Sequence, residues 1–433
     1  MKVVVLGGGS TGEHFVGALR RLDAEVELTL VERRLVGGEC SYWACMPTKT
    51  MLRAPEVVAA GRRSPGVLGG TLDVPAVFAW RDLVAERDDA SQVAWLADQR
   101  CTLVRGDARI ARPGVVEVEG EELPYDRLVV ATGSSPLIPP VRGLESTDFW
   151  TNVEATETTE VPARLLVLGG GPVGCELSQF FARVGSRVVL VQGEARILPR
   201  IDAEAAALVE EGLREDGIEL VTGATLESVE GGTALLADGK ELPFDRILVA
   251  TGRTPNLDGL GPLGLETSRR GIEVDERLRA AENVWAIGDV TGIAQFTHVG
   301  KYQARIAAYD IAGRQTRADY RAIPATIFTD PQVATVGTLD GGRLSTWQLT
   351  STPRLSTYER PKRKGFLKVA ADPDRRVLTG AVAVGPEAGE WLQQLTLAIR
   401  AETPIEILLD VIQPYPTFSE AVFLALRGLA LDL

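Results

Sequence analysis

The chain has 433 residues, 45% of them hydrophobic and 24% charged; that is ordinary for a globular protein and too long for one core, so two or three domains are expected. Its net charge of −13 argues against nucleic acid or an anionic membrane as a partner, because both repel an acidic surface. No apolar run is long enough to span a bilayer, and four cysteines are too few for a disulfide framework.

Lys2–Leu6 (KVVVL) is a continuous apolar run of the buried-strand type. It leaves no room ahead of it for a signal peptide, so a reducing cytoplasmic setting is expected. The run feeds Gly7-Gly8-Gly9-Ser10-Thr11-Gly12, which matches G-x-G-x-x-G. A helix is expected over about 13–22, then a strand, Val26–Val31, that closes on Glu32, twenty residues past Gly12. Strand, glycine turn, helix, strand and acid make a complete dinucleotide-binding unit. Gly7, Gly9 and Gly12 let backbone approach a pyrophosphate on the helix N-terminus, and Glu32 can accept hydrogen bonds from a ribose.

Gly37–Thr50 reads GGECSYWACMPTKT and places Cys40 and Cys45 five positions apart. Residues so spaced on a regular helix differ by about 7.5 Å in rise and about 140° in direction. If the two sulfurs pair, regular helix cannot carry both. Pro47 is tolerated in a first helical turn, so the stretch is expected to be a distorted loop-to-helix junction. Near a helix N-terminus a thiolate is favoured, which would make the pair redox-active. Spacing alone leaves open the alternative of two small packed hydrophobes.

Helix is expected to continue over 50–61, loop over 64–75 and one amphipathic helix over 78–99. Short strands follow at 101–104, 115–118 and 127–131, the last ending in Ala131-Thr132-Gly133. A second dinucleotide unit then appears: strand Arg164–Leu168, turn Gly169-Gly170-Gly171-Pro172-Val173-Gly174, helix 175–184 and strand 187–191. A strand at 246–250 ends in Ala250-Thr251-Gly252, VWAIGD (284–289) reads as a strand closing on Asp289, and 303–312 as helix. From about Asp319 strands (324–329, 333–336, 365–370, 377–384) precede helices (387–402, 403–410), the order of an α+β domain. Cys101 and Cys175 are read as buried and inert. No metal-ligand set is read.

Two glycine-turn units, with Cys-x4-Cys-x-Pro-x-Lys after the first, resemble the pyridine nucleotide–disulfide oxidoreductases of the dihydrolipoamide dehydrogenase, glutathione reductase and mercuric reductase type. The resemblance also covers VWAIGD, Phe328-Thr329-Asp330-Pro331 and Pro416-Thr417-Phe418-Ser419-Glu420. It implies an α/β fold with two Rossmann-like domains and a C-terminal α+β dimerisation domain. The implied ranges are 1–150 with a return segment at 271–318 for FAD, 151–270 for NAD(P)H and 319–433 for a homodimer. By matching motif, Gly7, Gly9, Gly12 and Glu32 would hold the FAD pyrophosphate and ribose. Ala108 would lie near the adenine and Asp289 on the ribityl chain. Further cofactor contacts are expected from Ser10, Thr11, Arg33, Gly38, Thr132, Gly133, Gly252 and Arg253, and in the second unit from Gly169, Gly171, Val173 and Gly174. Cys40 would be the interchange thiol that meets a disulfide substrate and Cys45 the charge-transfer thiol against the flavin. Lys49 would sit near flavin N5, paired with Glu176: a cation there stabilises charge that arrives with a hydride.

The chain departs from that pattern at its C-terminal motif. Five residues before Glu420, where thiol–disulfide members carry a histidine acid/base, stands Tyr415. The two histidines, His14 and His298, lie elsewhere; His298 opens the helix that the family aims at the flavin's pyrimidine edge, where backbone N–H groups would contribute. A tyrosine donates a proton but is a poor base at neutral pH. Mercuric reductase-like members also carry tyrosine here, but with an extra C-terminal cysteine pair; this sequence ends Ala430-Leu431-Asp432-Leu433. At the position that reads the nicotinamide cofactor's 2′ group stands Gln192, not an acid, with Arg196 and Arg200 near, a leaning towards NADPH. Glu194 is the position reached by counting twenty from Gly174. The function expected is an FAD-dependent NAD(P)H:disulfide oxidoreductase, with a Tyr415–Glu420 pair of the partner subunit bordering the substrate. A dithiol oxidase, or a diaphorase or metal-ion reductase, on the same scaffold are the alternatives.

Overall fold

Two stretches of strand-forming, almost wholly apolar sequence seed two mainly parallel sheets, each in its own compact unit. A computed structural model describes residues 1–360 and 362–430. The reading of the chain's last three residues lies outside them.

The first unit comprises Met1–Pro47, Trp80–Leu137 and Gly252–Asp319. Its sheet runs Arg279–Ala281, Val284–Ala286, Arg127–Val130, Lys2–Leu6, Glu27–Glu32, Cys101–Arg105. Lys2–Leu6 is central, parallel to both neighbours, with Val3 against Leu28 on one side and Arg127 on the other. Val3, Val5 and Leu30 are fully buried, as a strand covered on both faces requires. The helix Ser10–Leu22 packs on this sheet with Phe15, Val16 and Leu19 buried.

The second unit comprises Thr48–Ala79, Ile138–Thr251 and Tyr320–Leu433. It holds a parallel sheet in the order Glu219–Thr222, Arg187–Gln192, Arg164–Leu168, Arg246–Val249, Phe149–Trp150, and an antiparallel one in the order Pro324–Ile327, Gln332–Gly337, Val377–Gly385, Phe366–Asp372, Arg343–Gln348. Helix Pro172–Arg183 contributes Leu177, Phe180 and Phe181 to the core beneath the parallel sheet. The antiparallel sheet is backed by Gln393–Ala401 and Glu420–Ala430, through Leu395, Ile399, Val422 and Leu426.

The α/β class with a C-terminal α+β part is as expected from the sequence; several boundaries differ. The expected helix 78–99 is two helices, Val74–Ala85 and Ala90–Asp98. Glu86 takes φ +47° and ends the first, and Asp89 is drawn off the helical path because its carboxylate accepts the Val36 N–H and a bond from Arg105. The VWAIGD strand stops at Ala286, and Asp289 lies in a 3-10 turn, Gly288–Thr291. The expected helix 387–402 is interrupted at Leu392. The chain rejoins the first unit at Gly252, ahead of residue 271, because Arg253–Pro255 pairs with Ser134–Pro136. Phe149–Trp150 joins the second parallel sheet, beside Ile247–Leu248.

Candidate active site

The two glycine turns are structural copies. Gly7 has φ +105° and Gly169 φ +110°; a Cβ on either would lie 2.3 or 2.4 Å from a backbone oxygen, of Ala131 and Ala250 respectively. Gly12 and Gly174 face Gly7 O and Gly169 O so closely that only glycine fits. Gly9 and Gly171 are the N-caps of the following helices, and neither receives a side-chain cap. A Cβ on Gly171 would meet nothing within 4 Å, and one on Gly9 only Gly38 Cα at 3.9 Å. Uncapped helix N-termini opening onto free space are what a pyrophosphate needs, so both turns fit a dinucleotide.

The acid of the first unit is tied into its turn: Glu32 Oε2 accepts the Gly8 N–H at 2.7 Å and Oε1 the Arg34 N–H at 2.7 Å. In the second unit Gln192 Oε1 accepts the Gly170 N–H at 3.0 Å. Gln192, not Glu194, therefore stands where Glu32 does. The guanidinium of Arg196 donates to the carbonyls of Leu198, Pro199 and Ile201, each at 2.8 Å, and so closes its own loop.

Other first-unit residues expected at the cofactor fall into two groups. Asp289 accepts a 2.7 Å bond from Ser134 Oγ, and Arg253 donates to Ser134 Oγ at 2.7 Å and to Glu39 Oε2 at 2.6 Å. Burial raises the Asp289 carboxyl, opposed by Ser134 and Arg253. Thr132 Oγ1 donates to Asn256 O, and the Asn256 side chain donates back to Thr132 O; Gly133 takes φ +72° and Gly252 +137°. Ala108 begins the strand Ala108–Arg112, Ser10 is the first residue of its helix, and Gly38 abuts Gly9. By contrast, Thr11 turns its hydroxyl towards Gly288 and Gly300, and Arg33 pairs with exposed Asp107 at 3.5 Å.

The cysteine stretch is broken where spacing requires. Cys40 lies in a short helix, Gly38–Tyr42; Trp43 leaves helical geometry, and a new helix, Cys45–Arg63, starts at the second cysteine. No disulfide joins the two here. The hydrogen bond with Cys45, then burial, push the Cys40 thiol far up, with Thr297 and Lys301 opposing. Cys45 Sγ lies 3.5 Å from Thr297 Oγ1, at the start of the helix Thr297–Ile311. Thr297 thus meets the Cys45 sulfur, and the His298 ring stacks on Phe296 at 5.2 Å. Burial drives the thiol of Cys101 up to about 12 and that of Cys175 higher still, both inert.

Lys49 lies on the helix begun by Cys45. In the second unit its Nζ donates to Glu176 Oε2 at 2.8 Å. Glu176 is the fifth residue of helix Pro172–Arg183, with its side chain 4% exposed. Its other oxygen accepts the Phe328 N–H at 2.9 Å. Val173 is exposed on the first turn of that helix. At the C-terminal motif the expected pair is not formed within the chain. Tyr415 is 71% exposed, and among the described residues its hydroxyl has no hydrogen-bond partner, while Glu420 Oε2 is buried without one.

No helix among the described residues is long and apolar enough to cross a membrane. Among the same residues no group of three His, Cys, Asp or Glu side chains is placed to hold a metal ion.

Comparison with known proteins places this arrangement. Residues 1–312 match the family model described as pyridine nucleotide-disulphide oxidoreductase, and residues 323–426 the model of its dimerisation domain. The chain is 31% identical to a mercuric reductase of Lysinibacillus sphaericus, over 98% of this chain and 81% of that one. It is 32% identical to a dihydrolipoyl dehydrogenase of Thermus scotoductus, over 99% and 97%. Among solved structures, LpdA of Mycobacterium tuberculosis superposes with a TM-score of 0.90 at 26% identity, covering 99% of both chains. The Cu(II) complex of the HOCl-induced flavoprotein disulfide reductase RclA of Escherichia coli gives 0.87 at 25% identity, covering 100% of both.

Proposed function

The chain belongs to the pyridine nucleotide–disulphide oxidoreductases, FAD-dependent enzymes, and on that premise we propose that it uses NAD(P)H to reduce a small disulfide at Cys40. The observation that carries the reading is the placement of Cys40, Cys45 and Thr297 at a broken helix junction, with Lys49 on the same helix and held by Glu176. FAD, when bound, supplies the chemistry that carries the electron pair of NAD(P)H to the cysteines. The first unit, Met1–Pro47, Trp80–Leu137 and Gly252–Asp319, would hold it; within the second unit Ile138–Thr251 would hold the nicotinamide cofactor and Tyr320–Leu433 the partner subunit of a homodimer.

The chain's own residues account for the other half of the turnover. Cys40, once its proton is removed, attacks one substrate sulfur and a substrate thiolate leaves. Cys45 then attacks Cys40 Sγ, the second thiolate leaves, and a Cys40–Cys45 disulfide closes. The balance is one disulfide plus NAD(P)H plus a proton giving two thiols and NAD(P)+. Thr297 Oγ1 lies 3.5 Å from Cys45 Sγ and, as a donor to it, would favour charge on that sulfur. The partner subunit's Tyr415 would border the substrate and donate to its leaving thiolate. With Gln192 at the 2′ position no carboxylate repels a 2′-phosphate, so NADPH is taken as readily as NADH or better.

Anaerobic titration with NADPH tests the reading. Full reduction is expected to take about two equivalents and to show the long-wavelength band of a thiolate beside a flavin. One equivalent and no band would remove the cysteine pair from the mechanism. A second reading, transfer to a metal ion, is favoured by the mercuric reductases among the relatives and by tyrosine where a histidine base is expected. Cys40→Ser separates the two readings if metal-ion reduction survives the loss of disulfide reduction.

A further inference from the structure

One face of a helix reads one short segment of chain. Glu176, Gln179 and Arg183, at i, i+3 and i+7 of Pro172–Arg183, all reach the segment 328–330. Glu176 Oε1 accepts the Phe328 N–H at 2.9 Å. Gln179 Oε1 accepts the Asp330 N–H at 2.7 Å, and its Nε2 donates to Asp330 O at 3.1 Å. Arg183 Nη2 donates to the Asp330 carboxylate at 2.8 Å. The strand Pro324–Ile327 ends one residue before Phe328, so the Phe328 N–H leaves the sheet ladder free to serve Glu176. Fixed in this way, the Phe328 ring lies with its centroid 4.9 Å from Lys49 Nζ. The ammonium is then bounded on one side by a carboxylate at 2.8 Å and on another by an aromatic face.

We propose that Phe328 is a positioning residue for Lys49: its backbone N–H orients the Glu176 carboxylate, and its ring holds the ammonium by a cation–π contact. Carboxylate and ring do different work. The carboxylate neutralises charge and sets one distance; the ring stabilises the ammonium without supplying a second anion. A lysine tied to a carboxylate alone can swing about that contact, whereas two supports of different kind leave one orientation. The residue acts through Lys49 and needs no contact with a reacting atom. This inference rests on the reading that Lys49 serves the flavin.

Two measurements on the FAD-loaded enzyme test it. The first is the rate at which an amine-selective acylating reagent labels Lys49, read by peptide mass spectrometry with Lys240 as internal reference. The second is the rate of flavin reduction by NADPH. Phe328→Leu is expected to speed labelling of Lys49 by about two- to thirty-fold, because the ring that holds and covers the amine on that side is gone. It is expected to slow flavin reduction by a similar factor, whereas Phe328→Tyr stays near wild type in both. Repeating Phe328→Leu in a Lys49→Met background should add no further loss of rate. Unchanged labelling in Phe328→Leu, or an equal loss of rate with and without Lys49, overturns the proposal. If Lys49→Met itself leaves flavin reduction at the wild-type rate, the underlying reading of Lys49 fails instead. Unfolding midpoints of all variants identify any loss that comes from the fold.

Discussion

Gln192 occupies in the second glycine turn the position that Glu32 occupies in the first: each side-chain oxygen accepts the N–H of the middle glycine, Gly170 at 3.0 Å and Gly8 at 2.7 Å. The amide preserves the turn and drops the charge. Restoring the charge is therefore a clean change, since a carboxylate can take the same bond. Gln192→Glu is expected to leave the fold intact and to lower the NADPH-to-NADH ratio of kcat/KM by at least about tenfold, through repulsion of the 2′-phosphate. Arg196→Ala, by contrast, should disturb the loop that its three carbonyl contacts close, and cut both cofactors alike. A selective loss of NADPH in Arg196→Ala would mean that the guanidinium leaves those carbonyls when cofactor binds.

Asp330 is the acid that three arginines share in a buried ion-pair cluster. Arg183, Arg363 and Arg63 all reach its carboxylate, at 2.8, 2.7 and 3.0 Å. Burial pulls the carboxyl upward, but the three guanidiniums outweigh it and hold it below the usual range. Because the folded value is depressed, its stabilisation is present above the unfolded value near 3.8 and is lost as pH falls through the lower folded one. Asp330→Asn removes the carboxylate that the three guanidiniums share while leaving each a second acid, Glu359, Asp216 and Glu215, and should cost about 1–3 kcal/mol, measured by urea unfolding at pH 7. The same variant should loosen the 328–330 segment and slow flavin reduction.

The fold was legible because both sheets are seeded by local patterns, and the glycine turns announce where strand gives way to helix. Lys49 and Glu176 were legible as a pair only through their motifs, since 127 positions separate them. Phe328 had no such signal beyond its motif: its value lies in a backbone N–H left unpaired at a strand end, which no side-chain pattern encodes. The loop contacts of Arg196 were hidden for a related reason. Its partners are backbone carbonyls of its own loop, and carbonyls leave no mark in a sequence. The break between Ala85 and Ala90 was hidden because Glu86 is an ordinary helix former; the pull on Asp89 comes from Val36 and Arg105.

Glu13, on the first glycine-turn helix, gives a pH dependence of the opposite sign to Asp330. Burial raises its carboxyl to about 7, against Lys301 and with help from Asp89. The folded state therefore holds this proton more tightly than the unfolded chain. Its contribution is most favourable below about 4.5 and falls as pH rises towards about 7, where the loss is complete. Glu13→Gln should remove that slope, so that wild type and variant diverge between pH 5 and 7. The variant is expected to be the more stable by about 1–3 kcal/mol at pH 8. Parallel stability curves across that range would show that Glu13 is ionised throughout.

Tyr415 separates the acceptor classes. A thiolate that leaves Cys40 needs a proton, and a positioned donor contributes about 10²–10⁴-fold in such steps. An acceptor that takes electrons without thiol exchange needs no such donor. The exposed hydroxyl of Tyr415, without a partner among the described residues, and the buried, unpaired oxygen of Glu420 are groups that a partner subunit or a substrate could satisfy. Tyr415→Phe is thus expected to lower kcat/KM for a small disulfide by about ten- to a hundredfold. Reduction of a quinone by the same variant should stay within about twofold of wild type, since no sulfur leaves in that reaction. Equal rates for Tyr415→Phe and wild type with every disulfide tried would assign Tyr415 to packing at the subunit contact and return the proton to solvent.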